Sequence, residues 1–289
     1  MSIYFIKKIY FLFCITFASV KSVSNHSFYK GTTNYTDTTK LDNNISTNFT
    51  GEYESSINDA NIKYPANLQN HREQSLEYVE KYSDKKRHDL INTYQKGKKY
   101  FPKITEVLKS YQLPQELKVL IALESGFNAN AISKAGAVGY WQIMDGVAKQ
   151  YGLQIVKAKD TAAIRLKKKD DRKNLRKSTI CAAKYLRDRR SILNNDLLLM
   201  VASYNAGIGA VKSAIKKYGK HDADFWDIKK YLPAETRNFV MNFITLNVIF
   251  ENYEKFLKKQ LVFSPSLADN RVSTSAADSF TTNRLLSID

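Results

Sequence analysis

Between residues 100 and 258 every start and stop signal in the chain is a helical one. Pro102 opens a segment carrying Ile104, Val107 and Leu108. Pro114 opens the next, with Glu116 in its first turn and Gly126 just past its end. Proline suits the first helical position, where its missing N–H costs nothing, and glycine suits the left-handed residue that ends a helix. Ser178 can cap a helix over 179–193, and Asp196 one over 197–203. Pro233 starts a long helix with Glu235 in its first turn and Phe239, Val240, Phe243, Ile244 and Val248 spaced for burial. No run combines β-branched alternation with hairpin turns, and no internal repeat is visible. The expected fold class is all-α.

The flanks differ in composition. Residues 1–22 read as a signal peptide: Lys7 and Lys8 form a positive start, 9–20 are a short apolar run, and Val20-Lys21-Ser22 offers small residues for cleavage. An uncleaved anchor is the alternative. Bulky Phe13 before Cys14 argues against lipidation. Residues 23–70 are rich in Ser, Thr and Asn and read as a spacer. A charged helical pattern over 71–99, with Leu76, Val79, Tyr82, Leu90, Ile91 and Tyr94, is expected to pack outside a domain over 100–258. The lysine- and arginine-rich stretch 157–177 reads as a surface insertion, and 259–289 as a loose tail.

The formal charge of +17 suits nucleic acid, an anionic lipid surface or an acidic polymer, and chooses among none of them. Losing the leader would remove Lys7, Lys8 and Lys21 and no acid, leaving +14. Cys181 then stands alone in an apolar helical stretch, which makes a buried thiol a better reading than a nucleophile. His26, His71, His88 and His221 lie among polar residues, so no zinc site is expected.

Glu124 carries the chemistry. It follows Leu117, Leu120 and Ile121 at seven, four and three residues, so it falls on their apolar helix face. Lost hydration there raises a carboxyl's pKa, and a protonated carboxyl can protonate a glycosidic oxygen. Read alone, the helix favours a glutamate that simply ends it by reaching solvent or an arginine.

Four boxes follow in order: Glu124-Ser125, Gly139-Tyr140-Trp141-Gln142, Ser203-Tyr204-Asn205-Ala206-Gly207, and Pro233-Ala234-Glu235-Thr236-Arg237-Asn238-Phe239-Val240. In this order and spacing the chain resembles the catalytic domain of the soluble lytic transglycosylase family, in particular its membrane-bound D type, over 103–241. The resemblance implies a lysozyme-like helical domain of the goose-type lysozyme and transglycosylase kind, with 71–99 as an N-terminal helical extension. It implies an exported enzyme of the periplasm or cell envelope that cleaves the MurNAc–GlcNAc β-1,4 bonds of peptidoglycan. Glu124 would be the catalytic acid and base. Ser133 would bond the reacting sugar's N-acetyl group, and Gln142 would line the cleft floor. Tyr204 would face Glu124, Asn205 would fix its loop and contact sugar, and Glu235 would line the cleft or hold the peptide-bearing part of the substrate. Ser125 and Tyr140 complete the expected substrate contacts.

Each also has a plain structural reading. Gln142 can satisfy backbone groups, and Ser133 can cap a turn. Tyr140 and Trp141 can be core aromatics. Asn205 can serve turn geometry, and Glu235 can cap its helix. Tyr140 replaces the family's usual Leu, Ser203 its Ala and Phe239 its Tyr. Asp145 stands where proline is common.

Ordinary glycosidases flank the bond with two carboxylates. The acids next after Glu124 are Asp145, Asp160, Asp170 and Asp171, none of them in a family box. The resemblance therefore implies a single-carboxyl reaction that forms 1,6-anhydromuramoyl ends and needs no metal or organic cofactor. The alternatives are a lysozyme-type hydrolase in which Asp145 positions water, and a non-catalytic wall-binding protein. The expected partner is peptidoglycan, with electrostatic association to an anionic wall or membrane surface, no nucleic acid, and a monomeric state.

Overall fold

A computed structural model describes residues 61–156, 161 and 169–263. The leader, most of the spacer and the tail from 264 onward lie outside the described residues. Residues Ile62–Phe263 form one compact unit. Its helices are α1 (Arg72–Lys85), α2 (Arg87–Gly97), α3 (Phe101–Ser110), α4 (Leu120–Ser125), α5 (Asp145–Gln150), α6 (Leu175–Arg190), α7 (Leu197–Ala206), α8 (Ile208–Tyr218), α9 (Phe225–Ile228), α10 (Ala234–Glu251) and α11 (Tyr253–Leu257). Among the described residues the only β-pairing is two isolated antiparallel bridges, Ile132 to Val138 and Val138 to Ile143.

The core is built around α10 and α7. Phe239, Val240, Phe243, Ile244, Leu246, Val248 and Ile249 are all buried, on every side of α10. A helix apolar all round has to be central. Seven consecutive residues of α7, Leu197 to Ser203, are likewise buried. Asp196 caps α7 as expected, its carboxylate accepting from the Leu199 amide at 2.8 Å.

The N-terminal extension is longer and better anchored than the composition implied. Residues 62–70, read as the spacer's far end, contribute buried Ile62, Tyr64 and Leu68. Glu116, in the 3-10 turn that precedes α4, accepts twice from the Asn67 amide group at 3.0 Å. The Lys63 backbone exchanges two hydrogen bonds with the Asn252 side chain, at 2.9 and 2.6 Å. The single pattern read over 71–99 is two helices, α1 and α2, broken at Lys86. The Tyr78 hydroxyl donates to Asn242 on α10 at 2.8 Å, and Tyr94 stacks on Tyr253 with ring centres 3.6 Å apart. Polar composition hid this anchoring, because several of its ties are single side chains bonding to distant backbone.

Two further expectations change. Helix α6 begins at Leu175, not at 179. Asn174 is its cap, accepting from the Lys177 amide at 3.0 Å, and the Ser178 hydroxyl donates back to the Asn174 carbonyl at 2.6 Å. Ser178 and Asn174 are both good capping types, and only the backbone dihedrals choose between them. The basic stretch 157–177 is not wholly at the surface. Gln154 and Asp171 exchange hydrogen bonds at 3.0 and 2.9 Å, and Arg172 within the stretch is buried.

Candidate active site

Glu124 occupies the last turn of α4. Leu117, Leu120 and Ile121 beneath it are fully buried, as the spacing requires, and Glu124 itself is half-buried. The helix ends at once on Gly126 in the left-handed region (φ 59°). Phe127 follows at φ 64°, a costly conformation for a bulky residue. Packing holds it there: Phe127 is buried, stacked on Tyr100 and edge-on to Phe101. The turn after Glu124 is thus sharp and clamped, so the carboxyl sits at the end of a rigid post.

The loop 131–144 forms the facing wall. Gly139 donates to the Ala131 carbonyl at 2.8 Å, Ser133 to Ala137 at 2.9 Å, and Val138 and Ile143 bond each other at 3.1 and 3.0 Å. Gly139 has φ 83°, and a Cβ there would lie 2.0 Å from the Arg172 carbonyl oxygen. No other residue fits that approach. The Ser125 hydroxyl donates to the Tyr140 carbonyl at 2.8 Å and accepts from the Asn128 amide, which ties the Glu124 helix to this loop. Gln142 adopts φ 48° and donates through Nε2 to the Ala131 and Gly139 carbonyls at 3.2 and 3.0 Å. Ser133 Oγ accepts from the Ala137 amide at 2.9 Å. Ser125, Ser133 and Gln142 therefore all work on backbone. For Gln142 this leaves the carbonyl oxygen, and for Ser133 the hydroxyl proton, outside those bonds.

Trp141 is fully buried, with Nε1 donating to Thr179 at 2.9 Å. Its carbonyl accepts from the Tyr204 hydroxyl at 2.7 Å. Burial pushes the Tyr204 phenol far above its ordinary range, and the Glu124 carboxyl is the next contributor, followed by Cys181 and Tyr185. Glu124 on α4 and Tyr204 on α7 are thus near enough to interact electrostatically. Asn205 accepts from the Thr236 hydroxyl at 2.9 Å, which joins α7 to the start of α10. Glu235 stands exposed in the first turn of α10. Tyr140 is half-buried beside Tyr100, and burial raises its phenol.

Tyr185 on α6 completes the group and was not among the predicted residues. Its ring meets Tyr204 edge-on at 5.7 Å and lies under the Arg189 guanidinium at 4.0 Å. The available signal was helical spacing: Tyr185 follows buried Cys181 by four residues. Cys181 is inert, its thiol pushed up to about 11 mainly by burial.

The other acids have structural occupations. The Arg172 side chain, 3% exposed, pairs with Asp145 and with Asp170, the latter at 2.7 Å. Burial pushes the Asp170 carboxyl up, but hydrogen bonds and charge from Arg172 hold it below its ordinary range. Asp171 pairs with Lys177 at 2.8 Å. Asp160 lies outside the described residues. Among the described residues no three His, Cys, Asp or Glu side chains are grouped to hold a metal.

A match to the family model described as "Transglycosylase SLT domain" spans residues 102–226. That stretch of the chain is similar to a transglycosylase SLT domain. The match contains the Glu124, Gly139–Gln142 and Ser203–Gly207 boxes, while Glu235 lies beyond its end. The all-α expectation holds, and a lysozyme-like helical architecture goes with the SLT domain. The chain is 32% identical over 151 residues to membrane-bound lytic murein transglycosylase D of Escherichia coli K12. That alignment takes in 52% of this chain and 31% of the relative, so the chain spans about a third of the relative's length. Among solved structures it is similar to an inactive mutant of the lytic transglycosylase Slt from Pseudomonas aeruginosa, with 24% identity and a TM-score of 0.40, covering 57% of this chain and 25% of that one. The 70 kDa soluble lytic transglycosylase of Escherichia coli gives 21% identity and a TM-score of 0.40, covering 52% and 24%.

Proposed function

We propose that this protein is a peptidoglycan lytic transglycosylase with Glu124 as its lone acid and base. The observation that carries the reading is the pairing of roles around Arg172. A half-buried Glu124 lies near enough to Tyr204 to help raise its phenol, while Asp145, the nearest following acid, pairs with a buried arginine. A hydrolase on this scaffold would need a second carboxylate free to position water. Asp145 instead accepts from Arg172.

The reaction balances without water. The Glu124 carboxyl protonates the bridging oxygen as the C1–O bond of N-acetylmuramic acid breaks, and the substrate's own N-acetyl oxygen shields the cationic C1. The Glu124 carboxylate then takes the proton of the sugar's 6-hydroxyl as O6 closes on C1. The product is a 1,6-anhydromuramoyl end, and Glu124 regains its proton. Ser133 donates its hydroxyl proton to the N-acetyl group. The free Gln142 carbonyl lines the floor beside Glu124. Tyr204, staying neutral, positions the Trp141 carbonyl and stands over the carboxyl. Tyr140, Asn205 and Glu235 extend the contact along the glycan. No metal or organic cofactor takes part.

The same reading makes the protein an exported one of the periplasm or envelope. Residues 1–22 act as its leader and 23–61 as a spacer ahead of the helical extension and SLT domain, and its basic charge holds it on an anionic wall. Among the described residues no helix is long and apolar enough to cross a membrane. Mass spectrometry of purified sacculi after digestion decides the chemistry. Anhydro-muropeptides are expected. Products one water heavier would establish the lysozyme-type hydrolase, and intact sacculi the non-catalytic binder.

A further inference from the structure

Two residues along α10 from Glu235, Arg237 lines a second concavity of about 560 Å3 with Tyr218, Trp226, Asp227, Lys229 and Lys230. Three cations and one acid face this cleft. The acid is occupied: Asp227 accepts from the Tyr218 hydroxyl at 2.7 Å and from the Asp224 amide at 3.2 Å, closing the capping box of α9. No ion pair is formed by Lys229, Lys230 or Arg237 among the described residues.

Lysines on a basic protein are usually solvated and mean little. Lys229 is different because it is half-buried, its ammonium 4.8 Å above the Trp226 ring. Burial, and then the charge of Arg237, hold that ammonium below its ordinary range. Arg237 is fixed in turn by donating to the Leu232 carbonyl at 2.7 Å. Two like charges are therefore kept near each other and partly out of water, an unfavourable arrangement that a bound anion relieves. Trp226 spends its N–H inward on His71 at 3.1 Å, so what it offers the cleft is ring surface. Cations over an aromatic face suit a ligand with both carboxylates and aliphatic surface. Arg237 follows Thr236, whose hydroxyl bonds Asn205 next to Tyr204.

We propose that this cleft binds the carboxylate-bearing peptide carried by the glycan strand, through Lys229 and Arg237 with Trp226 as its platform. The proposal rests on the peptidoglycan reading above, and its test separates the two. The full-length protein is titrated with a disaccharide-tetrapeptide from sacculi and with the same disaccharide stripped of its peptide. Titration calorimetry reads the affinity of both ligands, whichever part of the site each occupies.

The peptide-bearing fragment is expected to bind about tenfold more tightly. Lys229→Glu should remove most of that difference and leave the stripped disaccharide unaffected. Lys229→Gln should do the same in part and covers any misfolding of the reversal. Lys103→Glu, an exposed lysine on α3, is the matched-charge control and should change little. Equal binding of the two fragments would overturn the proposal. So would equal effects of the Lys229 and Lys103 reversals, or inorganic phosphate displacing the peptide fragment at equal concentration. If sacculi are cleaved to anhydro products while those outcomes occur, only this inference falls. If sacculi are not cleaved at all, the functional reading falls instead.

Discussion

The two walls of the candidate site are made by different means. The wall from 120 to 144 is set by backbone: positive-φ Phe127 and Gln142, glycine-only contact at Gly139, and side chains of Ser125, Ser133 and Gln142 spent on amides and carbonyls. The wall from α7 to α10 is set by side chains on regular helices: Tyr204 donates to the Trp141 carbonyl, Asn205 accepts from Thr236, and Glu235 is exposed. A strained loop suits the side that must hold one carboxyl to a fraction of an ångström. Under the proposed function, helical side chains suit a side that would meet a long and varied polymer. Substitutions that break the backbone bonds of the first wall should therefore trade stability and chemistry together, whereas those at exposed positions of the second, such as Glu235, should alter binding with the fold intact.

The largest expected effect is on chemistry alone. Glu124→Gln should lower muropeptide release by about 100- to 10,000-fold with sacculus binding and thermal unfolding nearly unchanged. A variant that keeps its turnover would remove Glu124 from the mechanism. Next comes the brace behind the loop. Arg172→Met leaves Asp145 and buried Asp170 without their cation and should cost about 3–5 kcal/mol, lowering Tm on the order of 10 °C. Calorimetry showing no change would make Arg172 a surface residue in all but position. Across the site, Tyr204→Phe orphans the Trp141 carbonyl at a cost of about 1–3 kcal/mol. Because that carbonyl belongs to the loop wall, turnover should drop more than the affinity for glycan. Equal losses in both would unlink the two walls.

The smallest effect tests the junction of the extension with the domain. Burial lowers the His71 pKa, softened by Asp196 and Asp224, and Nδ1 accepts from Trp226. A base whose folded pKa is lowered is protonated more readily when unfolded. Its contribution to stability is present above 6.5 and is lost as pH falls through the lowered folded value, at no more than about 1.4 kcal/mol per pH unit. Denaturant midpoints between pH 7 and 5 should slope downward toward acid, and His71→Ala should flatten the slope.

Much of this was legible in the chain and some was not. Pro102, Pro114, Asp196 and Pro233 marked helix starts because capping is local chemistry. Glu124 on its apolar face and buried Cys181 followed from helical period, and buried Trp141 from reading it as a core aromatic. The start of α6 was misplaced because Asn174 and Ser178 are equally good caps on paper. Tyr185 was passed over because its partner Tyr204 lies nineteen positions away, on another helix. The extension was cut short at 71 because polar Lys63 and Asn67 gave no hint of their distant partners Asn252 and Glu116.

The sequence by itself determined the helical class, the order of the four boxes and the apolar face under Glu124, since all of these depend on neighbours within a few positions. Only the tertiary structure decided which acids stay available. Asp145 reads as a candidate until Arg172, distant in sequence and set in a basic stretch, turns inward and takes it. The reason is desolvation: a guanidinium carried into the interior must bring carboxylates with it, and which ones it takes is a matter of geometry that no local pattern encodes.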